Sequence, residues 1–587
     1  MHGKLLLASK AGKRRIMNSA RRVIIAPVIF TLALAAGFAS PALGDGTIAK
    51  HHLISAANPA ASEAGREIMR KGGSAVDAGI AAQLVLTLVE PESSGIGGGA
   101  FMMVYDPKTK KVISFDGRED APAADGPNMF LGPDGKPRTY MDLIPGGLST
   151  GVPGVIAMFE MAHKRFGKLP WAALFAPAIR LADNGFPVSR KLARELQQFA
   201  PQMSQMPDMN RYFYHGNGTP LAQGEIVKNP QLAATLRLIA KGGAKAFYTG
   251  KIAQNIVDAV DHAPHNTGSM TLKDLASYHA VERPTVCGTY RSYKLCSMGP
   301  PSSGGVAVLQ ILGMLERFPS SDLQPSTPSE VHLFTQASRL AFADRMKYLG
   351  DPDVINVPVR GLIDHGYLAQ RSALIDPAKD MGTAAAGTPP QQHADYAPQK
   401  SEQLPGTSHL SAVDDKGMVV SMTMTIEFAF GSEIMANGFL LNNELTDFSF
   451  NPVLDGKPVA NAAGPGKRPM SAMSPTIVFD PSGKFAMALG SPGGPAIIDF
   501  VANTVIAMID GKLGPQAAAA LPHPLNMNSA TVIEKGTVLE QLAPQLTAMG
   551  HTVVPHDLES GLHIIQAVPG GYTGGADPRR DGVALGD

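Results

Sequence analysis

The sequence predicts an α+β fold in which helices cover antiparallel strands. Three observations carry this. The clearest strand-like runs are joined by short polar turns, as in MMVYDPKTKKVISF, and short turns favour antiparallel pairing. Long segments rich in alanine, leucine and glycine read as closely packed helices. Apolar residues make up 44% of the 587 and charged residues 17%, enough to bury a large core. A doubly wound parallel sheet is the alternative, and the short turns count against it.

The N-terminus comes first. Residues 1–44 carry seven of the 51 basic residues and no acidic one. Arg21 and Arg22 precede an apolar stretch, 23–38, and Ala42 and Gly44 give an A-x-G cleavage site before Asp45. This pattern predicts a signal peptide, with Met17 as an alternative start. A retained anchor is the competing reading, and Pro27 and the small-residue exit disfavour it. No other stretch is apolar over the ~20 residues that span a bilayer. Beyond residue 44, 44 basic residues face 50 acidic ones, a balance of −6 that argues against nucleic-acid binding.

The next segments read in order. Residues 61–90 form two helices broken at Gly72–Gly73, with Asp77 in the first turn of the second. The glycine run 95–99 then enters a strand at 100–105, which pairs with 111–115 through a turn at 106–110. Because the glycines lead into a strand and not a helix, they are no dinucleotide fingerprint. Residues 145–195 are loop and then helix, 196–280 are mostly helical, and 304–317 and 329–348 are helices. VCGTYRSYKLC (286–296) reads as two strands about Arg291–Ser292, which sets Cys287 opposite Cys296. Cross-strand Cβ atoms in such a pair lie about 4.5–5.5 Å apart, so a disulfide and two buried thiols are both open.

Residues 381–406 change character: small, polar and proline-rich, they show no face to bury and read as a mobile segment. At Thr407 the pattern turns abruptly to strands, through 478 and beyond, followed by helices at 496–510 and near 537–549.

Common catalytic motifs are missing. There is no zinc motif, no P-loop and no G-x-S-x-G, and no cofactor or metal is implied. The junction at Gly406–Thr407 offers another chemistry. A cut there gives Thr407 both a hydroxyl and a free α-amine with a pKa near 7.7, able to take the hydroxyl proton. On the residues alone, an ordinary linker entering a strand is the favoured reading of the junction.

The motifs VEPESSGIGGGAFM (89–102), GVPG (151–154), GPPSSGG (299–305), ADRMKYLGDPD (343–353), TSHLSAVD (407–414), LLNNELTDF (440–448), RPMSAMSPTIV (468–478) and GSPGG (490–494) occur in order over some 500 residues. With them the chain resembles the gamma-glutamyltranspeptidase family of self-cleaving N-terminal-nucleophile hydrolases. The resemblance implies a four-layer αββα sandwich. It implies cleavage at Gly406–Thr407 into a large subunit (45–406) and a small catalytic subunit (407–587) that share one core as a heterodimer.

The resemblance also implies site roles. Thr407 is the nucleophile, its amine the base, and Thr425 its hydroxyl partner. Gly493 and Gly494 supply the oxyanion-hole amides. Arg118 pairs with the substrate α-carboxylate, Glu444 and Asp447 with the α-amine, and Ser471 with the carboxylate. The implied substrates are γ-glutamyl compounds, glutathione above all, with transfer to water or to an amine. The leader implies export, and the resemblance favours the periplasm over secretion into the medium.

Two positions depart from the family pattern: Glu427 stands where asparagine is frequent, and Ala472 where a second serine is. The stretch 450–463 is also shorter than the lid of lid-bearing relatives and has no tyrosine. These departures suggest an open site that favours hydrolysis over transfer. They keep a glutaryl or cephalosporin acylase, or a poly-γ-glutamate hydrolase, as the alternative. A noncatalytic γ-glutamyl-peptide-binding protein is the non-enzyme alternative.

Overall fold

Residues 48–391, 395–399 and 406–587 are described by a computed structural model, and they fall in one unit. The predicted leader falls outside the described residues. Thirteen strands build two large sheets: β1 (Leu53–Ala56), β2 (Gly99–Asp106), β3 (Lys111–Gly117), β4 (Val281–Arg283), β5 (Val286–Tyr290), β6 (Tyr293–Ser297), β7 (Ser408–Val413), β8 (Val419–Thr425), β9 (Thr476–Phe479), β10 (Phe485–Leu489), β11 (His563–Val568), β12 (Gly571–Ala576) and β13 (Val583–Gly586). One sheet runs β13-β1-β7-β8-β2-β3-β4 and the other β12-β11-β10-β9-β6-β5. Every ladder in both is antiparallel, which removes the doubly wound alternative.

Period-two alternation explains the layers. In β2, Ala100, Met102 and Val104 join one core with helices α1 (Pro59–Arg70) and α2 (Ala75–Val89), while Phe101 and Met103 face the second sheet. That second core continues into α3 (Gly304–Leu315), α4 (Pro328–Tyr348) and α5 (Ile497–Ile509). The order helix, sheet, sheet, helix is the four-layer sandwich.

Helix ends follow local chemistry. Asn58 caps α1 ahead of Pro59, and Ser74 with Asp77 forms a capping box at α2. All fifteen residues of α2 are buried, so its small side chains lie between other layers. The predicted β2–β3 hairpin forms in register, Ala100 opposite Gly117.

The β5–β6 turn takes positive φ at both Arg291 (50°) and Ser292 (67°), the two-residue primed geometry, without glycine. Cys287 lies opposite Cys296, and the two are joined as a disulfide. The expectation that 381–406 buries nothing fails for Ala397 and Gln399, which are 3% and 4% exposed. Side chains of α4 account for part of this segment's placement: Asp344 Oδ1 accepts from the Gly387 amide and Gln336 Oε1 from that of Met381.

Candidate active site

The site grows from the head of the central hairpin. β7 and β8 pair from Ser408↔Met424 onward, which brings Thr407 beside Thr425. Thr407 Oγ1 donates to Thr425 Oγ1 at 3.2 Å, and Thr425 Oγ1 also accepts from the Glu427 amide at 2.7 Å. The Thr407 amide donates to Ser93 O at 3.0 Å, inside the VEPESSG motif. Thr407 has φ 103°, a left-handed conformation that a β-branched residue avoids, at a cost of about 1–3 kcal/mol. Before it, a Cβ on Gly406 would sit 1.7 Å from Glu427 O, so the chain passes there only as glycine.

A cavity of about 20 Å³ opens at Thr407, room for roughly one water in the uncut chain. Nine of the predicted residues line it: Arg118, Thr407, Thr425, Glu427, Glu444, Asp447, Ser471, Ala472 and Gly494. Gly493, at φ 134°, precedes it in the tight turn into α5; a Cβ there would strike the Phe500 ring at 2.6 Å. Gly494 sits at the start of that helix entry, where amides point away from the helix.

Opposite the threonines lies a buried charge cluster. Arg118, fully buried at the end of β3, ion-pairs through Nη1 with Glu444 and through Nη2 with Asp447. Its Nε donates to Pro469 O at 3.1 Å. Burial opposes the guanidinium's charge, but Glu444, then Asp447 and Glu119, outweigh it and hold its pKa above the ordinary value. Burial raises Glu444 to about 7 against the pull of Arg118. Glu427 is pushed well above the carboxylate range by burial, then by Asp447 and Glu444; it accepts from Tyr140 Oη and, at 2.7 Å, from Asn443 Nδ2.

The third wall is the RPMSAMSP segment. Ser471 Oγ accepts from the Met473 amide at 3.1 Å, which leaves its proton free for another acceptor. The GPPSSGG loop buttresses it: Ser303 donates to Ser471 O from its amide at 2.8 Å, and Ser302 Oγ donates to Met473 O at 2.6 Å. Behind that, Arg345 Nε donates to Ser303 Oγ at 2.8 Å.

A model of the gamma-glutamyltranspeptidase family matches residues 61–587. The chain belongs to the gamma-glutamyltranspeptidase family. It is 36% identical over 550 residues to a glutathione hydrolase proenzyme of Bacillus subtilis, spanning 92% of each chain. To the glutathione hydrolase proenzyme of Escherichia coli it is 35% identical, over 90% of this chain and 91% of that one. Among solved structures, a cephalosporin acylase from Bacillus halodurans superposes with a TM-score of 0.80 at 26% identity, covering 94% and 98%. A Helicobacter pylori gamma-glutamyltranspeptidase gives 0.53 at 34% identity, covering 57% of this chain and 95% of that one.

Within this family site, several contacting residues went unread in the sequence. Ser93 lies in a motif that was recognised, but a carbonyl partner leaves no residue-type signal. Tyr140 lies in no motif, and Glu119 follows Arg118 directly in DGRED (116–120) and lies 3.9 Å from it. Arg345 falls within ADRMKYLGDPD and reaches the Ser471 segment through Ser303. Phe450–Ala463, read as a shortened lid, holds a two-residue strand pair, Val453–Leu454 with Lys457–Pro458, and Asn461 Nδ2 donates to Asp447 O at 2.7 Å.

Proposed function

We propose that the chain cuts itself between Gly406 and Thr407 and then hydrolyses γ-glutamyl amides such as glutathione through an acyl-enzyme on Thr407. One observation carries this reading: the Thr407 hydroxyl, paired with Thr425, shares one small cavity with a buried arginine–carboxylate cluster suited to an α-amino acid.

The chemistry follows from these groups. In the uncut chain, Thr407 Oγ1 attacks the Gly406 carbonyl; the ester that replaces the amide is then hydrolysed, and the α-amine is freed. The φ strain at Thr407 is defined by the Gly406 carbon, so scission releases it. In the mature site the amine takes the Oγ1 proton as the hydroxyl attacks the γ-carbonyl. The tetrahedral oxyanion is received by the Gly493 and Gly494 amides, each worth about 3 kcal/mol in such a hole. The amine then passes the proton to the leaving nitrogen, and water repeats the sequence on the ester.

At the other end, the substrate α-carboxylate would replace Glu444 and Asp447 on the Arg118 fork, joined by the Ser471 hydroxyl, and the two displaced carboxyls would turn to the α-ammonium. Three buried carboxyls beside one guanidinium favour a ligand that brings its own positive charge. That supports a γ-glutamyl over a glutaryl donor, although the acylase superposition keeps the glutaryl reading testable. Ala472 removes one carboxylate donor, and with the short 450–463 stretch it favours water as the acceptor. The family names of relatives, proenzymes among them, support the two-subunit product. The leader read in 1–44 would deliver it to the periplasm.

N-terminal sequencing of the purified mature protein tests the cut: a small fragment beginning at Thr407 is expected. Rates on γ-glutamyl and glutaryl p-nitroanilides, with and without glycylglycine, separate the readings. Equal turnover of both donors would overturn the γ-glutamyl assignment, and predominant transfer at millimolar acceptor would overturn the preference for hydrolysis.

A further inference from the structure

Thr407 is gripped on a side that its chemistry does not use. Arg580, in the turn between β12 and β13 and 6% exposed, donates from Nη1 to the Thr407 carbonyl at 3.0 Å and from Nε to Ser560 O at 3.2 Å. We infer that Arg580 is a positioning residue of the nucleophile: it fixes the Thr407 backbone and sets a permanent positive charge beside the α-amine that has to be neutral to act as base. This rests on reading Thr407 as the N-terminal nucleophile and goes beyond it, since nothing in that reading needs residue 580.

The charged groups around this grip come from several elements. Glu90, at the end of α2, lies 3.8 Å from Arg580 Nη1 and accepts from Ser408 Oγ at 3.1 Å. Glu559 lies 3.7 Å from Arg580 Nε at the partly exposed edge. Across Ser93, Lys191 Nζ reaches Glu92 at 3.1 Å, Glu195 at 2.7 Å and Ser93 Oγ at 3.0 Å. His563 and Asp577 also stand near, and Arg190 Nη2 donates to the Arg580 carbonyl at 3.4 Å; burial keeps His563 neutral, its pKa near 3.

Geometry decides how these charges act. Glu90 Oε1 and Glu92 Oε2 have no hydrogen-bond partner among the described residues, which suits protonated carboxyls better than carboxylates. Burial pushes both acids up, Glu92 to about 8. Lys191 is committed to Glu195 and Glu92. Arg580 is therefore the cation bonded to the nucleophile residue itself, and it disfavours a second positive charge on the same residue. Burial of Thr407 acts in the same direction.

The test begins with the wild-type protein. An intact Gly406–Thr407 bond in active enzyme overturns the nucleophile reading underneath. In cut enzyme, competitive acetylation of the Thr407 amine by acetic anhydride across pH gives its pKa; a midpoint below the ~7.7 of a free α-amine is expected, and one at or above it overturns the inference. R580Q and R580K then grade the effect. The acidic limb of kcat/KM should move up by about one unit in R580Q and by less in R580K, whose shorter ammonium sits farther from the carbonyl. Turnover should recover at high pH. A mature variant with the wild-type limb and a pH-independent loss, the signature of a merely structural role, overturns the inference. If only R580K matures, its limb decides by the same criterion.

Discussion

The two ends of the cavity are built from different materials. Around Thr407 most contacts fall on main-chain atoms: its amide on the Ser93 carbonyl and its own carbonyl under Arg580, beside the Thr425 hydroxyl, with Gly494 at the entry to α5 on the cavity wall. At the far end they are side chains, with Arg118, Glu444 and Asp447 locked together and Glu427 beside them. A backbone-built half constrains sequence mainly through glycine and through strand register. A side-chain half can be rewritten one residue at a time, and both departures from the family pattern, Glu427 and Ala472, fall there. The chemistry is thus held in common while the specificity is free to drift.

The largest effect should come from the nucleophile end. T407A is expected to remain a single chain and to lose turnover by about 10⁴-fold or more, because hydroxyl and base leave together. Denaturing electrophoresis checks it, and two normal fragments would sink the assignment. At the binding end the matching change should spare the cut. R118K keeps one charge but loses the planar fork, so kcat/KM for a γ-glutamyl donor should fall about 10²–10³-fold while N-terminal sequencing still finds Thr407. Failure of R118K to mature would mean that the two ends are not separable.

The same division explains what could be read from the sequence. Strands, helices and the β2–β3 hairpin were legible because alternation and short turns are local signals. Arg118, Glu444, Asp447 and Ser471 came from the family resemblance and not from the residues alone, and the structure brings all four to one cavity. Ser93 and Arg580 act on or through carbonyls, which every residue has, and their partner Thr407 is far away in sequence, 173 positions from Arg580. Residues 395–399 misled for a related reason: a proline-rich stretch shows no periodic face, yet Ala397 and Gln399 are buried by a bridge to Val459 and a bond to Met346 O.

The carboxyls at the binding end give a pH signature that the nucleophile end does not share. Glu444, raised to about 7 by burial despite Arg118, gains a proton as pH falls through 7. Its negative charge is then lost, so binding of an α-ammonium weakens on the acid side. KM for a γ-glutamyl donor should rise several-fold between pH 8 and 6, and KM for a glutaryl donor, which lacks the ammonium, should not. E444Q should flatten the difference. A parallel rise for both donors would place the titrating group elsewhere. A472S sharpens the same half more gently: restoring one hydroxyl toward the α-carboxylate should lower KM about 10-fold, the worth of one hydrogen bond to a charged group at the low end.

The smallest effect should come from a region that touches neither end. The Cys287–Cys296 disulfide joins β5 to β6 at the edge of the second sheet, where β5 pairs on one side only. The loop it closes is short, and the β5–β6 ladder with its tight turn already holds the two strands together. Chain-entropy arguments cap the stabilisation at about 2–3 kcal/mol for so short a loop, and the preformed hairpin reduces it further. The double variant C287S/C296S should therefore lower Tm by only about 1–3 °C in a chain this large, with kcat/KM and the rate of cutting unchanged. Calorimetry and the same fragment analysis check this. A loss of activity would show that the edge of the second sheet, through the β6–β9 ladder leading back to the Ser471 segment, is coupled to the binding end.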